Sequence, residues 1–199
     1  MEHSFAQWIP AFPDHYNDSP WVVHFNRDNL CGHWMDEGKR ITNWDPTLTA
    51  VASDGPDASL DFMFADHAWP LFSSRLQRHF NKHYPETFQF LPFEFSPKDK
   101  SYINRDFAVG QCLHLVDGLD RERTSVDNDD WTPRANGTLR VNYPFHVIYD
   151  HVKDLPAFRL VGSPVQLFVR DDVQRSILDF GFSGCRFDPN NPICTVRNE

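Results

Sequence analysis

The stretch DHAWPLFSSRLQRHFNKHYPETFQFLPFEFSPKDKSYINRDFAVGQCLHLVDGLD (66–120) decides the fold class. Trp69, Phe72, Leu76, Phe80 and Tyr84 recur at three- and four-residue steps, which lays one apolar stripe along a helix. The spacing predicts that helix over about residues 70–83. Pro70 suits a first helical turn, where its missing N–H costs little, and Ser73 offers an alternative cap one turn later. Pro85 ends it. FQFLPFEF (88–95) is too short and too aromatic for a helix and reads as a buried strand punctuated by Pro92. SPKDK (96–100) is a polar turn, and residues 101–120 read as a strand with a polar break near Asn104–Asp106, closing in the acidic turn VDGLD.

The flanks carry the same texture. Upstream, WVVHFN (21–26) and LTAVAS (48–53) read as short strands, with a further one expected near 40–44, and LDFMF (60–64) alternates apolar and polar briefly before the helix. The aromatic-rich first 20 residues have too many rings for a disordered tail and should lie against the domain. Downstream, residues 138–151 suggest one or two strands, AFRLVG (157–162) another, and PVQLFV (164–169) a strand feeding a helix over 171–180. Asp171 is placed to cap that helix and Gly181 to close it in the left-handed conformation. SGCRF (183–187) reads as a last short strand and DPNNPICTVRNE (188–199) as an irregular tail. PLFSSRLQRHF (70–80) and QLFVRDDVQRSIL (166–178) echo one another, each an apolar entry followed by Leu/Val-Gln-Arg.

The expectation is one α+β domain over residues 1–199, mainly short antiparallel strands packed on two main helices. It divides into an N-terminal strand and loop region (1–59), a core (60–188) and a tail (189–199). Eighteen Phe and six Trp imply an aromatic core, and fifteen Pro against nine Gly exclude an all-helical bundle.

A net charge of −9 argues against nucleic-acid or anionic-membrane binding and suits a basic protein partner. No signal-like or membrane-spanning stretch is evident, which predicts a cytoplasmic protein, monomeric or weakly dimeric. Cys31, Cys112, Cys185 and Cys194 lack zinc-site spacing. Cys185 and Cys194 could pair across a loop, but free thiols are favoured. Cofactors are not expected.

Candidate chemistry is sparse. His79 and His83 lie four apart on the first helix, as two metal ligands would, yet HFNKH lacks the glutamate of the HExxH pattern. Cys112 and His114 share a strand face, and His146 and His151 flank Asp150, without completing a recognised catalytic set. Residues 121–138 hold only Val126 and Trp131 as large apolar residues and read as an exposed acidic loop. A docking surface there would use Asp120, Glu122, Asp127, Asp129 and Asp130 around Trp131 as anchor.

The order of features resembles a family of small bacterial α+β immunity proteins encoded in polymorphic toxin systems. The residues that carry the resemblance are Ser73, Leu91-Pro92, Tyr102-Ile103-Asn104, Val116 to Asp120, Ser125, Phe158-Arg159 and Gly181 to Phe187. It covers roughly residues 60–188, and the first 59 match nothing in it. The resemblance implies non-catalytic binding and neutralisation of a cognate toxin domain, and it brings no enzymatic residues. With the −9 charge, that toxin would be a basic protein such as a nuclease. The alternative is an enzyme with a His-based metal or acid–base site, a metal-dependent hydrolase for instance.

Overall fold

A computed structural model describes residues 4–10, 23–25, 38–52, 60–65, 69–96, 103–127, 130–133 and 138–196. In chain order the first half contains β1 (Phe5–Pro10), β2 (Val23–Phe25), β3 (Thr49–Ala52), β4 (Phe62–Phe64), β5 (Pro70–Ser73), α1 (Ser74–His83), β6 (Phe88–Pro92) and β7 (Glu94–Ser96). The second half adds β8 (Phe107–Cys112), β9 (Leu115–Val116), β10 (Phe145–Ile148), α2 (Tyr149–Val152), β11 (Ala157–Leu160), β12 (Ser163–Arg170), α3 (Asp171–Asp179) and β13 (Cys185–Val196). The chain is a strand-rich α+β protein, as the composition and periodicity predict.

Three sheets share the strands. The largest runs β10-β13-β1-β12-β11-β9, a second runs β4-β5-β8-β6, and a third runs β2-β3-β7. Most pairs are antiparallel; β10 with β13, β11 with β9 and β3 with β7 are parallel. The apolar run 88–95 serves two of these sheets. Its first half pairs with β8 from Phe88↔Cys112 to Pro92↔Ala108, and its second half pairs with β3 from Thr49↔Glu94. The polar break in 101–120 falls where expected, with Asn104 making only a bridge to Phe95 before β8 begins.

The two helices start differently from their sequence signals. Pro70 lies in β5, paired with Phe64, and not in the first turn of α1. Ser73 is the cap, its hydroxyl accepting from the Leu76 N–H at 3.2 Å. The sheet pairing of PLFS outcompetes helix extension, since Leu71 and Phe72 pair on both sides, with β4 and with β8. Asp171 lies inside α3, and Arg170 occupies the cap position without a side-chain cap bond. Gly181, at φ 63°, closes α3 as its position predicts.

The echo between 70–80 and 166–178 has a structural counterpart. Both segments run from a strand directly into a helix, and in each the Gln side chain turns back to the strand. The Gln77 amide donates to the Phe72 carbonyl at 2.8 Å and the Gln174 amide to the Val169 carbonyl at 3.1 Å.

Three differences from the sequence reading have clear causes. The region 40–44 forms no strand; Ile41 is instead held by the Gln89 side chain, which accepts its N–H at 2.7 Å and donates to its carbonyl at 2.8 Å. Side-chain amides replace a backbone ladder. YDHV (149–152), expected to continue a strand, forms the short helix α2. The presumed tail is the longest strand: β13 pairs with β1 and then lies parallel to β10, and a register shift opposite Ala6/Gln7 takes up the Pro- and Asn-rich residues. Turn-forming composition therefore marks a bulge, not the end of the fold.

Trp8 explains why residues 4–10 belong to the core, while 1–3 and 11–20 lie outside the described residues. Fully buried, it stacks on Phe62 at 4.2 Å and meets the edges or faces of Phe72, Phe80 and Phe187. These rings join helices α1 and α3 to both larger sheets in one cluster with Val173 and Ile177. Ring pairs of this kind add about 0.5–1.5 kcal/mol each beyond the area they bury.

Candidate functional site

The acidic loop is built on a pinned turn. Asp120 ends a segment tied to β10: its N–H donates to the His146 carbonyl at 2.9 Å, and Leu119 bridges Val147. Its carboxylate faces inward and accepts from the N–H groups of Glu122 and Arg123 and from the Arg123 guanidinium at 2.9 Å. Burial would push this carboxyl up, but those hydrogen bonds outweigh it and hold it below the usual carboxylate range. Asp120 thus organises the DRER turn, while Glu122 points to solvent.

Beyond the turn the loop returns to the same edge. Val126 is buried and bridges Val141, and the Asp127 N–H donates to the Arg140 carbonyl at 2.9 Å. Asp127 also approaches the Arg140 guanidinium at 3.9 Å. Asp130 is exposed and accepts from Thr132, which lowers its carboxyl below the ordinary value. Trp131 is half-buried beneath the Arg121 guanidinium, 5.5 Å from the ring centroid. That contact brings the 120–123 turn and Trp131 onto one surface. Asp129 lies outside the described residues. The surface alternates in charge, with Arg121, Arg123 and Arg140 set among its carboxylates.

The histidine pair belongs to the helix interface. His79 is buried between α1 and α3, its Nε2 3.0 Å from the Ser176 hydroxyl and its ring against Phe180 and Phe182. Burial lowers its pKa, and the neighbouring charges of His83, Arg75 and Lys82 act in the same direction. His83 is exposed, its ring 4.8 Å from that of His79. Among the described residues no group of three or more His, Cys, Asp and Glu side chains is arranged to hold a metal ion.

Cys112 and Cys185 are free thiols. Burial pushes the Cys112 thiol up to about 11, and its Sγ lies near the backbone carbonyls of His114 and Ala157. The buried form is therefore the inert thiol and not a nucleophile. His151 Nδ1 sits 2.8 Å from the Asp117 carbonyl, and Asp150 pairs with Lys153.

The most connected polar centre is one the sequence reading passed over. Asp61, 6% exposed, accepts from the Ser73 hydroxyl at 2.6 Å, the Arg75 guanidinium at 2.9 Å, and the Ser183 N–H and hydroxyl. Arg75 continues to the Phe180 carbonyl at 2.5 Å, capping the end of α3. The start of one helix and the finish of the other are thereby joined through a single carboxylate. A lone acid inside the apolar run LDFMF was the available signal, since an unpaired buried charge is costly.

Several residues that carried the family resemblance have structural duties here. Ser73 caps α1, Phe158 stacks on Phe168, and the buried Arg159 donates to the Pro164 carbonyl. Gly181 and Gly184 adopt positive φ in the turns around Ser183.

No curated protein matches the chain. The model of the immunity protein family (Imm11) matches residues 24–191. This span exceeds the 60–188 read from the motifs and takes in most of β2 and all of β3, so part of the first 59 residues belongs to the match. With most of its length under that match, the chain belongs to the immunity protein family (Imm11).

Proposed function

We propose that this protein is a cytoplasmic immunity protein that neutralises a cognate toxin domain by forming a complex with it, without turnover. The observation that carries the reading is the family match over residues 24–191. The net charge of −9 favours a basic toxin, a nuclease being the natural class, because opposite potentials accelerate encounter. The docking surface is the loop face carrying Glu122, Asp127, Asp130 and Trp131, with Asp129 beside them in sequence. Its centre has the aromatic-plus-arginine character of an interface anchor.

The test is co-expression with the protein encoded immediately beside it, size-exclusion chromatography and growth rescue. A stable 1:1 complex that restores growth supports the reading; no complex and no rescue would overturn it for that neighbour. Reversing Asp127, Asp129 and Asp130 to Lys should slow association at low salt. Unchanged on-rates would move the docking site elsewhere.

A further inference from the structure

Helix α1 breaks the charge pattern of the molecule. In a chain of net charge −9 its ten residues, SRLQRHFNKH, contain no acid. Arg75, Arg78 and Lys82 follow at steps of three and four, which places them along one solvent-facing strip. Arg75 is engaged with Asp61, whereas Arg78 and Lys82 are exposed and make no ion pair among the described residues. On α3, Asp171 pairs with Arg175 and Asp172 with Arg170, and the exposed Asp179 immediately precedes Phe180.

Beside this strip lies an uncovered apolar ring. Phe180 is 54% exposed, unlike the buried Phe80 and Phe182 of the helix interface. The Phe180 ring lies 4.7 Å from His79 and 6.0 Å from His83, which ties it to the α1 edge that carries the cations. The charges that act on the buried His79 from this side are all cationic: His83, Arg75 and Lys82.

We infer that the α1–α3 face, with Phe180 as its apolar contact and Arg78 and Lys82 as its charges, docks an acidic protein segment bearing an aromatic side chain. The charge argument selects this occupant. A nucleic-acid or anionic-membrane site needs more cations than this face has, typically four to ten, and must also overcome repulsion from the whole acidic chain. A short acidic segment responds to charges within about 8–10 Å at physiological salt, and every charged side chain on α1 is basic. Its aromatic residue would stack on the open Phe180 ring. This goes beyond toxin binding through the 120–131 loop and does not depend on it.

The probe is a fluorescently labelled glutamate-rich glutamate–tyrosine copolymer, titrated with the full chain at low salt and followed by anisotropy. Saturable binding is expected, stronger than to polyglutamate and weakened about tenfold by the double variant R78E/K82E. F180S should remove the advantage of the tyrosine-containing polymer, while D127K/D130K should not weaken binding. All altered positions are exposed or half-buried, and circular dichroism with a thermal melt confirms the fold; R78Q/K82Q gives a milder check. Absence of saturable binding, or equal binding by R78E/K82E, overturns the inference. Tighter binding of oligothymidylate or phosphatidylglycerol vesicles through the same residues also overturns it, in favour of a polyanion surface.

Discussion

The carbonyl oxygen of Phe62 lies 2.2 Å from where a β-carbon on Gly184 would sit. The approach is enforced by the N–H groups of Asp61 and Phe62, which both donate to the Ser183 carbonyl. Gly184 also has φ 75°, so an alanine there meets both backbone strain and a backbone collision. We predict that Gly184→Ala costs about 3 kcal/mol or more in urea unfolding. Gly181→Ala has a similar φ but open space around it, and should cost only about 1–2 kcal/mol. Equal losses would show that the close approach to Phe62 is not what the turn requires.

Asp61→Ala should destabilise by about 3 kcal/mol, because it strands the Ser73 hydroxyl and the Ser183 N–H in a buried place. Arg75→Ala removes a half-exposed partner and should cost about 1 kcal/mol. Chemical denaturation of the two variants decides the order; a larger loss for Arg75 would place the weight on the α3 cap.

Neither Cys112 nor Cys185 should react with iodoacetamide in the native protein at about pH 8. Burial raises both thiols well above the ordinary range, Cys112 to about 11. Peptide mapping after a timed pulse would read this site by site. Rapid labelling of Cys112 would mean that β8 opens readily.

His79 predicts an acid weakness. Its folded pKa is lowered, so between that value and about 6.5 the unfolded chain binds more protons than the folded one. The stability it contributes is present above about pH 6.5 and is lost as pH falls through the folded pKa. His114, lowered by burial, acts in the same sense. Urea midpoints should therefore drop between about pH 7 and 5. His79→Gln should flatten the slope by up to about 1.4 kcal/mol per pH unit, and an unchanged slope would remove His79 as the cause.

What the sequence revealed followed the range of each interaction. Leu76 and Phe80 on the buried face of α1, the break before β8 and the left-handed Gly181 depend on neighbours a few residues away, and their patterns were readable; Trp69 and Phe72, of the same spacing, lie before the helix, Phe72 in β5. The Asp61 centre, whose Ser183 partner comes from the other end of the core, left only an isolated acid in LDFMF as its trace. Pro70 and Asp171 misled because a proline or an acid before a helix suits more than one position, and sheet pairing settled which. The loop residues were visible as acids; that Asp120 turns inward while Asp130 remains outside is set by contacts with β10 and Thr132.

The placement of β1 between β12 and β13 also bears on how the chain is made. Phe5–Pro10 is synthesised well before both of its sheet neighbours, which lie more than 150 residues further along the chain. Until they do, Trp8 has no closed cluster to enter, and an N-terminal fragment has an unsatisfied edge. Closure of such distant contacts is slow relative to helix formation. Closure of the largest sheet therefore waits until the β13 segment has left the ribosome, and the interval between synthesis and closure sets how soon a new copy is complete.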